Sequence, residues 1–184
     1  MTPLVIVCGP PAVGKTTLAK ALSAQLGHPV ISKDASKEAP MDHLGGSPAV
    51  GAAAFAAQFA IAHELLRAGV GIILEGALFV DQAELADLAE LGDAVVLRLD
   101  CKLEILEKRY IDSQASRHPS HRGLEALPDL RQRVRTGSYD PPDLHRPVLR
   151  IDSSAGFNSS EAQVVRWLQA EFGAKAPEGA SSQI

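Results

Sequence analysis

Residues 7–20 read VCGPPAVGKTTLAK, and this stretch decides the fold. Within it, the segment GPPAVGKT at 9–16 fits the pattern G-x-x-x-x-G-K-[ST] at every fixed position. An apolar run, LVIVC at 4–8, comes immediately before it, and an amphipathic helical pattern that stops at Gly27 follows. A glycine-rich turn between a buried strand and a helix is the setting in which this pattern binds phosphate groups.

The chemistry of phosphate binding explains the residue types in this loop. Glycines let the backbone turn tightly so that its N–H groups face the phosphates, and the helix N-terminus adds a partial positive charge. We expect Lys15 to reach the β- and γ-phosphates of ATP and the Thr16 hydroxyl to ligate Mg²⁺. The predicted nucleotide-binding residues are Gly9, Pro10, Pro11, Ala12, Val13, Gly14, Lys15, Thr16, Thr17 and, from farther along the chain, Arg117.

Apolar runs and helical patterns alternate along the rest of the chain. Strands are predicted at 4–8, 29–32, 70–75, 94–99 and 147–151. Helices are predicted after the glycine loop, at 47–69, at 81–91, near 102–113 and from about 160 onward. This alternation indicates an α/β fold with a parallel sheet, right-handed crossovers and helices on both faces. We expect one domain over residues 1–174 and a flexible tail at 175–184.

The composition argues against several classes of partner. The chain has 184 residues and a formal net charge of −4, whereas nucleic-acid-binding and membrane-binding proteins usually carry a basic excess. No apolar run approaches the roughly 20 residues that a membrane span needs. Two cysteines without a CxxC pair make zinc and disulfide frameworks unlikely, so a reducing cytoplasm is expected. A monomer and a homodimer are both compatible with the sequence.

The remaining motifs narrow the class of nucleotide-binding protein. A GTPase needs a guanine-reading Asn-Lys-x-Asp, and the sequence has none. The segment DHLG at 42–45 matches D-x-x-G, but we place it in a loop, where such four-letter matches arise by chance. The chain is also too short for the second domain of a large remodelling ATPase. A small phosphotransferase is the class that remains.

With its phosphate loop and its strand–helix order, the chain resembles the small P-loop kinases related to zeta toxins, chloramphenicol phosphotransferases and polynucleotide 5′-kinases. The likeness runs from Leu4 to about Trp167, although the phosphate loop is its one specific motif. The resemblance implies a three-layer sandwich with a five-stranded parallel sheet in the order 2-3-1-4-5. It also implies an Asp after the second strand, an acidic residue that ends the third, and an arginine-bearing lid.

Two carboxylates occupy the places that the resemblance implies. Asp34 follows VISK at the end of the second strand, where ligands of such sheets bind, and the implied role is to orient or deprotonate an acceptor hydroxyl. The alternative is a helix cap. Glu75 ends the third strand and precedes Gly76; it would hold a magnesium-bound water beside Thr16. A turn carboxylate or a contact with the substrate are the alternatives for Glu75.

The predicted lid, about 113–127, lies in an arginine-rich stretch. Residues 109–135 hold six of the chain's eleven arginines, and arginine clusters neutralise a transferring phosphoryl group. Arg109 and Arg117 are the preferred pair, with Arg122 next. The further arginines are predicted to form a solvated helix face: Arg131, Arg133 and Arg135. His118 and His121 could bind a substrate or a metal, although histidines in loops are usually surface residues.

Two further loops complete the predicted site. Residues 152–156, DSSAG, occupy the place where related kinases wrap the adenine, although a plain turn is an equally good interpretation. Residues 37–50, with Pro and Gly-Gly, are predicted to form a mobile loop in the wall of the acceptor pocket.

Together these features predict a magnesium- and ATP-dependent kinase that phosphorylates a hydroxyl of a small molecule such as an antibiotic, a sugar or a nucleotide sugar. The catalytic residues would be Asp34, Lys15, Arg109 and Arg117, with Thr16 and Glu75 placing the metal. A polynucleotide 5′-kinase is the alternative enzyme, but the acidic pI of 5.8 and the 4% of aromatic residues disfavour it. A nucleotide-binding regulatory module without transfer activity is the alternative from another class.

Overall fold

The sheet that carries the phosphate loop has five parallel strands in the order β2-β3-β1-β4-β5, as predicted. The computed structural model describes residues 2–45, 47–76, 82–121, 123–157 and 159–173. The strands are β1 (Pro3–Cys8), β2 (Val30–Ser32), β3 (Ile72–Glu75), β4 (Asp93–Asp100) and β5 (Val148–Asp152). Because β1 pairs with both β3 and β4, the glycine loop leaves the sheet from its central strand.

Helices cover both faces of the sheet. They are α1 (Lys15–Leu26), α2 (Lys33–Leu44), α3 (Pro48–Arg67), α4 (Gln82–Leu91), α5 (Leu103–Asp112), α6 (Leu127–Arg135) and α7 (Glu161–Gly173). Several predicted boundaries are confirmed by their local chemistry. Ser47 accepts a hydrogen bond from the Val50 N–H at the start of α3, and Ser160 and Gln163 form a reciprocal capping box before α7. A capping box of Asp81 with Glu84 was also predicted at the start of α4, but Asp81 lies outside the described residues.

Alternate residues of β1 face two separate cores, which makes the fold a three-layer sandwich. Val5 and Val7 pack into a core with α1, α5, α6 and α7. Leu4 and Ile6 pack on the opposite face, against α3 and α4. Residues 4–7 are all fully buried, as expected for a central parallel strand covered on both sides.

The prediction of a mobile loop at 37–50 is wrong for its first half, because α2 continues to Leu44. The segment DHLG is therefore the end of a helix rather than a loop. Lys, Glu, Ala, Met and Leu are good helix formers, and they outweigh Pro40, which lies inside the helix and removes one backbone hydrogen bond. The wall of the site beside Asp34 is therefore a helix rather than a loop.

Helix α3 is long and apolar, with 20 residues and a mean hydropathy of 1.4 over its best window. These values meet a length and composition test for a membrane span, although no span was predicted from the sequence. The same test is met by core helices of globular proteins, and α3 packs one face against the sheet. Its predicted inner positions Phe59, Ala62 and Leu66 are buried, and Phe55 is partly buried.

One polar residue interrupts that inner face and was missed in the sequence. Gln58 is fully buried, and its Nε2 donates to the carbonyl oxygens of Ile31 and Glu75, both at 3.0 Å. It therefore links the carboxyl ends of β2 and β3, the strands that lead to Asp34 and Glu75. The sequence signal for this role was a glutamine at a helical position where the spacing of the apolar residues predicts the buried face.

We expect Gln58→Leu to lower the free energy of unfolding by about 1–3 kcal/mol, because two buried carbonyl groups lose their donor. Denaturant titration of the purified protein measures this. Gln25→Leu, which removes an exposed 3.3 Å contact to Glu161, is the matched control and should change the free energy by less than about 0.5 kcal/mol. Equal stability of wild type and Gln58→Leu would show that the bridge is dispensable.

Candidate active site

The loop at 9–16 depends on backbone conformations that side chains disfavour. Gly9 and Gly14 have φ values of 145° and 102°, and Ala12 has a φ of 63°. A Cβ atom on Gly9 would lie 2.6 Å from the Leu99 carbonyl oxygen, so only glycine fits beside β4. Lys15 Nζ donates to the Pro10 carbonyl oxygen at 2.9 Å, across the loop. The loop thus holds the geometry that the sequence motif predicts.

A buried arginine supports the loop from below and was also missed in the sequence. Arg98 lies in β4 and is 6% exposed. Its guanidinium contacts Asp140 at 2.9 Å, Asp100 at 3.2 Å and the Leu99 carbonyl oxygen at 3.0 Å. These partners neutralise a charge that burial alone would make costly. The signal in the sequence was a charged residue inside the apolar run VVLRLD.

Glu75 lies at the bottom of the cleft, where β3 ends. It is 2% exposed, and its carboxylate accepts a hydrogen bond from the Ser32 hydroxyl at 2.7 Å. Burial raises the pKa of Glu75, while the Lys15 ammonium and the hydroxyl groups of Ser32 and Thr16 oppose that rise. Burial likewise lowers the pKa of Lys15, against the nearby charges of Glu75 and Asp34. The predicted metal pair, Thr16 and Glu75, is therefore brought together.

Asp34 lies in the first turn of α2 and lines the same cleft as Lys15 and Glu75. The cleft has a volume of about 910 Å³. The Asp34 side chain is half-exposed, and its carboxylate Oδ1 lies 3.8 Å from His121 Nδ1. The two neighbouring lysines differ in their contacts: Lys37 donates to the Ser120 carbonyl oxygen at 2.5 Å, whereas Lys33 lies over the Phe55 ring at 4.6 Å. Asp34 thus combines access to the cleft with a position at the end of β2.

Arg117 is the lid arginine that points into the cleft. Its guanidinium lies 5.0 Å from the centre of the Tyr110 ring, and its charge lowers the pKa of Lys15 in addition to the effect of burial. Its Nη1 is buried and has no hydrogen-bond partner within the described part of the chain. A buried, unpaired guanidinium nitrogen beside the lysine of the loop fits an anionic group such as a phosphate. Arg122 lies outside the described residues.

Two of the other arginines, Arg109 and Arg133, differ from their predicted positions. Arg109 belongs to α5 rather than to the lid, and its guanidinium donates to the Ser153 carbonyl oxygen at 2.7 Å and to the Ser153 hydroxyl at 3.2 Å. It lines the cleft on the side of the 152–156 loop. The assignment of Arg133 to a solvated face is wrong: it lines the cleft and pairs with Asp129 at 3.1 Å. Arg131 pairs with Glu107 in two hydrogen bonds, outside the cleft lining.

The Thr16 hydroxyl at the start of α1 and the Glu75 carboxylate at the end of β3 fit a magnesium ion that is shared with a triphosphate. Mg²⁺ in such sites usually takes one or two protein oxygens together with phosphate oxygens and water. The Thr16 hydroxyl and the buried Glu75 carboxylate supply that kind of donor set. Among the described residues, no group of three or more His, Cys, Asp or Glu side chains is placed so that it could hold a metal ion.

We expect Glu75→Gln to stabilise the ligand-free protein near neutral pH, because a carboxyl group whose pKa is raised by burial destabilises the fold when it ionises. This destabilisation is absent below the ordinary glutamate pKa of 4.5 and complete above the raised pKa. The gain in Tm over wild type should therefore grow as the pH rises from 5 to 8. Thermal unfolding across that range measures the gain. Glu64→Gln, at an exposed position, is the control; a gain at Glu75 that shrinks with pH would contradict the assignment.

Comparison with known proteins places this geometry in a family. The family model described as an AAA domain matches residues 4–136. A candidate kinase from Chloroflexus aurantiacus j-10-fl is 30% identical, with a TM-score of 0.80 over 92% of this chain and 98% of that one. No protein with a curated description matches the sequence significantly.

Two more distant structures share the fold. A shikimate kinase from Acinetobacter baumannii in complex with shikimate is 18% identical, with a TM-score of 0.59 over 96% of this chain and 97% of that one. A gluconokinase from Sinorhizobium meliloti 1021 is 17% identical, with a TM-score of 0.56 over 94% of this chain and 92% of that one. At these identities the likeness speaks for the fold. The chain has a kinase-like P-loop fold and belongs to the AAA domain family whose model covers residues 4–136.

Proposed function

We propose that the protein is a magnesium- and ATP-dependent kinase that transfers the γ-phosphate to a hydroxyl group of a small molecule. The observation that carries the proposal is the convergence of Lys15, Glu75, Asp34 and Arg117 on one cleft of about 910 Å³. Ligand pockets usually have volumes of about 300–1,000 Å³, and this cleft lies near the upper end of that range.

The loop residues would hold ATP by its phosphates. The backbone N–H groups at 12–17 and the start of α1 would supply donors and a partial positive charge to the phosphate oxygens. Lys15 and Arg117 both line the cleft and would supply two positive charges to the phosphates. Mg²⁺, held through Thr16 and through a water on Glu75, would neutralise phosphate charge when bound.

Asp34 would act on the acceptor. In the reaction, the acceptor oxygen bonds to the γ-phosphorus, the bond from that phosphorus to the β–γ bridging oxygen breaks, and ADP leaves. Asp34 orients the acceptor hydroxyl and takes its proton. The arginine charge would stabilise the negative charge that spreads over the transferring group. Burial of Cys8 raises the pKa of its thiol to about 11, so Cys8 does not compete as a nucleophile at neutral pH.

A small acceptor fits the charge of the protein better than a polynucleotide. The net charge is −4, and only 4% of the residues are aromatic, whereas single strands bind along positive grooves with stacking platforms. Within the small-molecule class we favour the kinases related to zeta toxins and chloramphenicol phosphotransferases. The free thiols of Cys8 and Cys101 fit a reducing cytoplasm.

The first experiment measures magnesium-dependent ADP production across antibiotics, sugars, nucleosides, a sugar nucleotide and 5′-hydroxyl oligonucleotides. We expect one class of acceptor to raise turnover well above the rate of ATP hydrolysis. Lys15→Ala should abolish this turnover, and Asp34→Asn should lower it at least about 100-fold while the Kd for ATP stays within about twofold. The matched controls are Lys20→Ala in α1 and Asp42→Asn in α2, because neither residue lines the cleft.

Each other outcome points elsewhere. Full transfer by Asp34→Asn would remove Asp34 from the role of base. Tight ATP binding without turnover on any acceptor would favour the regulatory module. Transfer to the oligonucleotides that falls steeply with added salt would indicate a polynucleotide kinase.

We also expect Arg117→Met to weaken ATP binding by about 10–100-fold, because the variant loses charge-assisted hydrogen bonds worth about 1.5–3 kcal/mol while keeping an aliphatic stem against Tyr110. Calorimetric titration of the nucleotide measures the Kd. Arg131→Met, which breaks an ion pair outside the cleft lining, is the control and should leave the Kd unchanged. Equal affinities for the two variants would place Arg117 outside the phosphate site.

A further inference from the structure

The lid contacts α2 through three side chains. His118 Nε2 lies 2.9 Å from Asp42 Oδ1, and His121 Nε2 lies 2.9 Å from Glu38 Oε1. Between them, Lys37 reaches back from α2 to the Ser120 carbonyl oxygen at 2.5 Å. The two elements on either side of the cleft are therefore joined directly.

The two histidines of this contact differ in what they face. His121 lines the cleft, and its side chain is 11% exposed. His118 does not line the cleft, and its side chain is 23% exposed. The Nδ1 of His118 accepts a hydrogen bond from the Ser120 N–H, whereas the Nδ1 of His121 is directed at Asp34. Of these two histidines, His121 is the one that faces the proposed base.

Asp34 depends on outside contacts for its orientation. Its side chain is 52% exposed, and a half-exposed carboxylate on a helix surface samples several rotamers. Within the described ranges, His121 provides the one ion-pair contact to Asp34 shorter than 4 Å. At 3.8 Å the two atoms are too far apart for a direct hydrogen bond, and they form an ion pair when the imidazole is protonated.

We infer that His121, which the lid brings to the acceptor side of the cleft, is a positioning residue for Asp34. This inference rests on the proposed kinase function. Glu38 holds Nε2 and thereby turns the other ring nitrogen toward the Asp34 carboxylate. Because Arg117 lies four residues earlier in the same lid segment, one lid position supplies both a phosphate-binding charge and the orientation of the base. Asp34 is then fully arranged only beneath the lid, where water is excluded from the reacting phosphate.

A double-mutant cycle tests whether His121 acts through Asp34. We expect His121→Ala to lower kcat for the best acceptor at least about tenfold while KM for ATP stays within about twofold. His118→Ala is the matched control, because it removes the neighbouring histidine–carboxylate contact without facing Asp34, and kcat should change less than about twofold. In the Asp34→Asn background, His121→Ala should cause no further loss.

Additive losses in the cycle would overturn the inference, because they would mean that His121 acts independently of Asp34. The kinase function would stand in that case, since wild-type transfer is measured in the same experiment. Absence of transfer by the wild type would instead count against the proposed function.

Histidine side-chain NMR tests the contact without any activity. The His121 resonance, assigned by its loss in His121→Asn, should shift in Asp34→Asn and stay unchanged in Asp42→Asn. The His118 resonance should respond in the opposite way. A His121 resonance that is insensitive to Asp34→Asn would overturn the inference whether or not an acceptor is known.

Discussion

The close approach of the Gly9 backbone to β4 is the constraint on which the rest of the site depends. No side chain fits between Gly9 and the Leu99 carbonyl oxygen, and a positive φ at that position favours glycine as well. The loop can therefore leave the central strand only where β4 presents its own carboxyl end. Arg98 also lies beside Gly9, and its buried charge is neutralised by the two carboxylates of Asp100 and Asp140.

Charges are buried around this loop at a cost to stability. Burial opposes the charge on both Lys15 and Glu75, and each partly offsets the cost for the other. In the same region, the buried Gln58 side chain donates hydrogen bonds to two backbone carbonyl groups at the ends of β2 and β3. Such concentrations of buried polar groups are typical of functional sites, because residues chosen for chemistry are seldom the most stabilising ones.

The lid and α2 form a single wall in spite of their separation in the sequence. The contacts of His118, His121 and Lys37 join segments about 80 residues apart. The lid is also joined to α5, because the Tyr110 hydroxyl donates to the Gly123 carbonyl oxygen. These contacts place Arg117, proposed to bind phosphate, and Asp34, proposed to act on the acceptor, in the lining of the same cleft.

The sequence by itself determined the strands, the phosphate loop and the ends of most helices, whereas the sheet order was implied by the resemblance to small P-loop kinases. These features follow from local rules: apolar runs form buried strands, and glycines and capping residues mark turns and helix ends. Asp34 and Glu75 could be placed in the cleft because carboxyl ends of parallel strands share one edge of a sheet. The extent of α2 was misjudged because Pro40 was given more weight than the helix formers around it.

Only the tertiary structure decided which side chains meet. Arg109 and Arg117 are eight residues apart in one basic stretch, yet one binds Ser153 and the other enters the cleft with an unpaired nitrogen. Gln58 and His121 acquire their roles from partners on other elements, and Arg98 pairs with Asp140, which lies 42 residues away in the sequence. Local sequence contains no record of such partners, because long-range contacts are set by how the elements pack rather than by the propensities of neighbouring residues.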